Sequence, residues 1–123
     1  MIKLVFCVRR RSDLSADDFK RYWIENHAPL VKKHAAAVGA KRYVQSHTVE
    51  DDTNVALRAS RGATQEFDGI AEVWWDSRDA LTAALSRPEG QAAGVELLED
   101  EREFIDLARS CLFLTEEHEI FAG

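Results

Sequence analysis

Three segments of this chain carry apolar residues at both strand parities, and that leaves few folds open. They are Leu4-Val5-Phe6-Cys7-Val8, Ile70-Ala71 with Val73-Trp74-Trp75, and Cys111-Leu112-Phe113-Leu114. A strand with water on one side alternates apolar and polar residues. These do not, so both faces of the sheet they form must be covered. Helices can cover one face. With 123 residues, one domain over 1–123, the chain has no material left for the other. An exposed apolar patch of that size is a liability, and the simplest cover is a second copy packed sheet to sheet in a two-fold homodimer. Such a pair can enclose a cavity in each half.

The element order follows from periodicity and punctuation. Ile2 to Arg9 reads as a strand and Ser15 to Ala28 as a helix, continued from Leu30 to about Val38 and ended by Gly39. Lys41 to Val49 is a strand, with Tyr43, Gln45 and His47 on one face. Glu50 to Glu66 has little pattern and is expected to be a lid or partly disordered loop. Phe67 to Trp75 is the third strand. A helix capped by Asp76 and Asp79 follows, with Leu81, Ala84 and Leu85 inward, and Pro88 and Gly90 break it. A charged helix runs from Val95 to about Leu107, and Arg109 to Glu116 is the last strand. The order β-α-β-β-α-β is that of the ferredoxin-like α+β fold, a four-stranded antiparallel sheet with helices on one face. Right-handed crossovers place the first strand between the third and fourth, and the third beside the second.

The first helix is the most strongly marked element. Ser15 can accept from the N–H of Asp18, whose carboxylate can reach back, and Leu14 and Phe19 stand as a hydrophobic staple. At about 100° per residue, Phe19, Trp23, His27 and Leu30 share one side. Pro29 lacks an N–H and crowds the carbonyl of Glu25, so a kink or end is expected near Ala28. His27 is thereby set on the core side at a helix C-terminus, where an imidazole can cap carbonyls or move protons.

Other candidates are weaker. His47 is a lone strand histidine. Glu72 is an acid amid apolar strand residues, which is costly unless paired; it either faces the dimer cavity or pairs with an arginine or histidine. Trp74 and Ile70 share its parity, and Trp75 points toward the helices. Glu96, Glu99, Asp100, Glu101 and Glu103 scatter at helical spacing and read as a solvated face. No metal is expected, for no H-x-H, H-x-x-x-H or C-x-x-C pair is present. No nucleotide loop or serine-hydrolase elbow appears either. The net charge of −6 argues against nucleic acid and anionic membrane as partners. No apolar run is long enough to span a membrane. The N-terminus reads as a strand rather than a signal peptide, and Cys7 and Cys111 as buried inert thiols of the reducing cytoplasm. A disulfide requires their strands to be neighbours.

Phe19-x-x-Tyr22-Trp23-x-x-x-His27-x-Pro29-Leu30-Val31, Lys41-Arg42-Tyr43-Val44-Gln45 and Phe67-Asp68-Gly69-Ile70-Ala71-Glu72-Val73-Trp74 together resemble the EthD family of the dimeric α+β barrel superfamily. The likeness extends to Ala80-Leu81-x-Ala83-Ala84-Leu85, to Ser86-x-Pro88-Glu89-Gly90 and to the closing strand. It implies a ferredoxin-like protomer that dimerises through its sheets. It also implies small-molecule chemistry on aromatic or polyketide intermediates, as dehydratase, decarboxylase, cyclase, isomerase or monooxygenase. His27 is the one position the motif carries over.

The expectation is a cofactor-independent enzyme of lyase or isomerase type acting on an apolar or aromatic carbonyl or phenol. His27 would transfer the proton, Glu72 or His47 would orient it, and Trp74, Tyr43, Phe6, Trp23 and Ile70 would wall the pocket. A non-catalytic carrier of a hydrophobic metabolite and a cofactor-free monooxygenase stay open beside it.

Overall fold

The first helix begins where its cap residues place it. In the computed structural model, which describes residues 1–123, the Ser15 hydroxyl accepts the Asp18 N–H at 3.1 Å and starts α1 (Ala16–Tyr22). The Asp18 carboxylate does not reach back; it takes Arg21 at 3.1 Å instead. The helix does not end near Ala28; the irregularity there is a change of winding. Trp23–His27 forms a π-turn, and α2 (Ala28–Val38) continues from it to Gly39, which takes the left-handed conformation at φ 74°. The Ala28 N–H donates to the Trp23 carbonyl, five residues back. Widening the turn absorbs the proline's missing donor and its crowding of Glu25. His27 therefore sits inside a continuous helical rod rather than at a helix end.

The sheet order is β2-β3-β1-β4, all antiparallel, as the crossovers require. Its strands are β1 (Ile2–Val8), β2 (Arg42–His47), β3 (Gly69–Trp75) and β4 (Cys111–Glu116). Register divides each strand cleanly. Phe6 faces Ala71, Leu4 faces Val73, Tyr43 faces Val73 and Ile2 faces Trp75 on the helix side. Val5 with Glu72 and Phe113, Cys7 with Ile70 and Cys111, and Lys3 with Trp74 lie on the opposite side. The main core joins Phe6, Val8 and Ala71 of the sheet to Phe19, Trp23, Phe104 and Ile105. The Phe19 ring packs 5.4 Å from Trp23 and 5.7 Å from Phe104. Cys7 and Cys111 are direct cross-strand partners and both are free thiols, but neither is buried as expected: Cys111 is exposed on the edge strand β4 and Cys7 partly so.

Three elements differ from expectation. The 50–66 segment is not a structureless loop: α3 (Asp52–Arg61) runs through it, capped by Asp51 on the Thr53 N–H and ended by Gly62 at φ 59°. None of its residues is buried, so no apolar stripe announces it. The cap of α4 (Arg78–Ser86) is Ser77, not Asp76 or Asp79. α4 ends before Pro88, as expected, but the next helix does not wait for Val95: Pro88 itself opens α5 (Pro88–Glu101), a first-turn position where its missing N–H costs nothing, and Gly90 lies inside that helix. Gly90 lets α5 meet α4, because a Cβ there would lie 2.0 Å from the Ala84 carbonyl oxygen.

Candidate functional site

Between the inner sheet face and the helices lies a cavity of about 390 Å³, within the single protomer. Its position differs from the expected chamber between two sheets. The helices stand off the sheet at its centre, and Leu112 and Leu114 of the edge strand β4 stay partly exposed despite facing the helix layer. Phe6, Trp23, Tyr43, Val73, Trp75 and Leu97 form much of the wall. Only His27 and Glu101 interrupt this lining with ionisable groups other than the Tyr43 phenol. The size suits a small organic ligand.

His27 is 5% exposed and held from behind. Its Nδ1 lies 2.7 Å from Oδ2 of Asp100, and Oδ1 of the same carboxylate accepts the Tyr22 hydroxyl at 2.6 Å. A carboxylate only accepts, so Nδ1 carries the hydrogen and Nε2 holds the free lone pair. Nε2 has no partner within the chain. Burial pushes the His27 pKa below its ordinary 6.5, against the upward pull of Asp100. The imidazole is thus neutral, oriented and unprotonated on the nitrogen left for the cavity. Burial, together with donation to Asp100 and the charge on that group, raises the Tyr22 phenol well above its ordinary range, so it stays a donor.

Glu101, next along α5, enters the same cavity. Burial, with the Asp100 charge added, pushes its carboxyl up to about 7. Burial also raises Tyr43, whose oxygen accepts Gln45 Nε2 at 2.9 Å. Gln45 further donates to the Trp23 carbonyl at 3.0 Å, bracing the π-turn. Gly69 serves the same end. A Cβ there would come within 2.5 Å of the Trp23 ring, so glycine lets the indole lie against the sheet.

The other expected residues are dispersed. His27, Tyr43, Phe6 and Trp23 come together around the cavity. His47 does not line it: the ring stacks on Trp23 at 4.5 Å and its Nε2 meets Gln45 Oε1 at 2.8 Å. Glu72, Trp74 and Ile70 occupy the opposite sheet face, out of reach of His27. Glu72 pairs with Lys3 at 2.8 Å, a lysine rather than the expected arginine or histidine. Trp74 is only 6% exposed there, covered by Arg42 at 4.5 Å and bonded through its indole N–H to Glu117. Asp100 and Glu101, set aside with the acidic run, are the missed members. One signal pointed to Glu101: it lies four residues after Leu97 and three before Phe104, on the apolar side of its helix.

A four-stranded antiparallel sheet with helices on one side, hollowed over its centre, defines a ferredoxin-like α+β protein with a cavity of small-molecule size. The chain belongs to the EthD family, whose domain model matches residues 11–108. An ethyl tert-butyl ether d (EthD) family protein from Bacillus halodurans superposes with a TM-score of 0.64 at 22% identity, covering 96% of this chain and 99% of that one. A dimeric ferredoxin-like protein of unknown function from Thermobifida fusca gives 0.56 at 16% identity, over 93% and 88%. The N63A mutant of SnoaB, a cofactor-independent oxygenase from Streptomyces nogalater, gives 0.53 at 16% identity, over 99% and 97%. At these identities the likeness is one of fold. No curated protein matches the chain's sequence. No helix is long and apolar enough to cross a membrane.

Proposed function

We propose that this protein is a small-molecule enzyme of lyase or isomerase type, in which His27 moves a proton on an apolar or aromatic substrate held in the protomer's own cavity. One observation carries the reading: Asp100 fixes the Nδ1–H tautomer of His27 and leaves Nε2 as a base at an otherwise apolar wall. Held at the back by a carboxylate, the ring can take a proton and stabilise the resulting charge. The apolar surround excludes water and strengthens each polar contact with the substrate. The chemistry requires only side chains. The substrate then needs an acidic C–H or O–H beside a carbonyl or phenol.

We further propose a homodimer through the outer sheet face, where Phe113 is 50% exposed beside Val5 and Ile70 shares the same face. Dimeric relatives of this fold support it. The Lys3–Glu72 pair and the covered Trp74 make that face mixed rather than purely apolar.

The probe for the chemistry is 2-tetralone, a bicyclic aromatic ketone with acidic C–H bonds, incubated in deuterium oxide and followed by proton NMR. The wild type is expected to speed deuterium uptake at the α-carbon, and His27→Ala to slow it by about 10²–10⁴-fold while still binding the ketone. Binding without exchange in the wild type would favour the carrier reading. Oxygen consumption on addition of the ketone would favour a monooxygenase.

A further inference from the structure

The cavity presents two ionisable side chains, and the mechanism above uses one. Glu101 projects from α5 into the same apolar space that His27 enters from the π-turn. Its carboxyl has no hydrogen-bond or ion-pair partner within the chain. The neighbouring carboxylate, Asp100, is fully occupied by Tyr22 and His27. A carboxyl group among apolar walls with no cation beside it is favoured in its neutral, proton-donating form.

We infer that Glu101 is the acid partner of His27, a pairing that rests on the proposed reaction and narrows its substrate to a carbonyl compound. Glu101 protonates the carbonyl oxygen while His27 Nε2 removes a proton from the adjacent carbon. The C–H bond breaks and its electron pair becomes a C=C bond. The C=O π pair takes the Glu101 proton. The result is a bound enol, an imidazolium and a carboxylate. When the enol is conjugated, His27 returns its proton to the far carbon and the enol O–H gives its proton back to Glu101. That completes a 1,3-proton shift and restores both side chains with no oxidant, reductant or co-reactant. Two groups acting at opposite ends avoid a buried enolate, which a single base would have to create in an apolar site.

The groups facing Glu101 are His27 from the π-turn, Tyr43 from β2 and Asp100 on its own helix. Its carboxyl titrates at about 7, so the donor is present in mild acid and lost in mild alkali. Binding of 2-tetralone is compared with that of tetralin, the same ring system without the oxygen, by calorimetry at pH 5.5 and 8.5. The wild type is expected to prefer the ketone roughly three- to tenfold at pH 5.5 and to lose that preference at pH 8.5. Glu101→Leu should bind both rings alike at either pH, its affinity for tetralin reporting an intact cavity. In the wild type at pH 5.5 the infrared C=O stretch of the bound ketone should lie below its position in an alkane solvent. Tetralin binding with an unshifted ketone stretch overturns this inference, as does a ketone preference that survives in Glu101→Leu. A shifted stretch with no deuterium exchange would sink the His27 reaction and leave the Glu101 contact standing. If neither ring binds, both fall.

Discussion

Glu101→Gln tests the electrostatics of the cavity through stability alone. The amide keeps the shape of the side chain and cannot ionise. Burial and Asp100 move the carboxyl from its ordinary 4.5 to about 7. Between those values the folded protein holds the Glu101 proton and the unfolded chain has released it. Stability from this group is therefore complete below pH 4.5 and is lost as pH rises through about 7. A tenfold change in proton affinity is worth about 1.4 kcal/mol, so the displacement sets an upper bound of about 3 kcal/mol on the cost of ionising the buried group. Water reaching the carboxyl through the cavity mouth reduces this to roughly 2 kcal/mol. The assay is urea denaturation of both proteins at intervals from pH 4.5 to 8.5. The variant is expected to gain on the wild type progressively up to pH 7 and to hold a constant lead above it. The opposite pH dependence of His27 is common to both proteins and cancels in the difference. A stability difference independent of pH, or a wild type more stable at pH 8.5, would refute the reasoning.

Asp100→Asn leaves an acceptor for Tyr22 but removes the charge behind His27. Losing a charge-assisted hydrogen bond worth about 1.5–3 kcal/mol slows proton transfer roughly 10- to 150-fold. Because Asp100 pulls the His27 pKa up against burial, the acid limb of the rate profile, measured by tetralone exchange against pH, moves to lower pH in the variant. Gly90→Ala drives a methyl group to 2.0 Å from the Ala84 carbonyl oxygen and 3.0 Å from that of Ala37. Overpacking between backbones puts the cost at about 3 kcal/mol, the upper end of the usual range. Scanning calorimetry should show a melting point roughly 10 °C lower, and one within two degrees of the wild type would contradict the close approach.

The sheet was readable because its evidence is local and redundant. Strands apolar at both parities, a serine cap before Ala16 and a glycine after Val38 each point to one arrangement. The misses share a cause: residues that obey a rule in isolation and serve another purpose in context. Pro29 breaks an α-helix yet is accommodated by a wider turn. Pro88 ends α4 as read but also opens α5, and Gly90, read as a second breaker, lies inside α5 at a tight helix crossing. The polar α3 has caps and no buried side, so hydrophobic periodicity cannot find it. Asp100 belongs to a run of acids whose composition is that of a wet surface. Its partners Tyr22 and His27 lie more than seventy positions away in the chain, and only the packing of α5 across the π-turn brings them together. His27 stood out because it falls in line with Phe19 and Trp23.

That alignment depends on the π-turn. Phe19, Trp23, His27 and Val31 are spaced four apart. In an ordinary α-helix each step of four overshoots a full revolution by about 40°, so over three steps the row would wander a third of the way round the rod. The loose coil at Trp23–His27 spends one more residue per revolution and turns the overshoot back within a single step. An irregularity in the winding thus keeps Val31 in phase with Phe19, and holds the imidazole between them over the sheet.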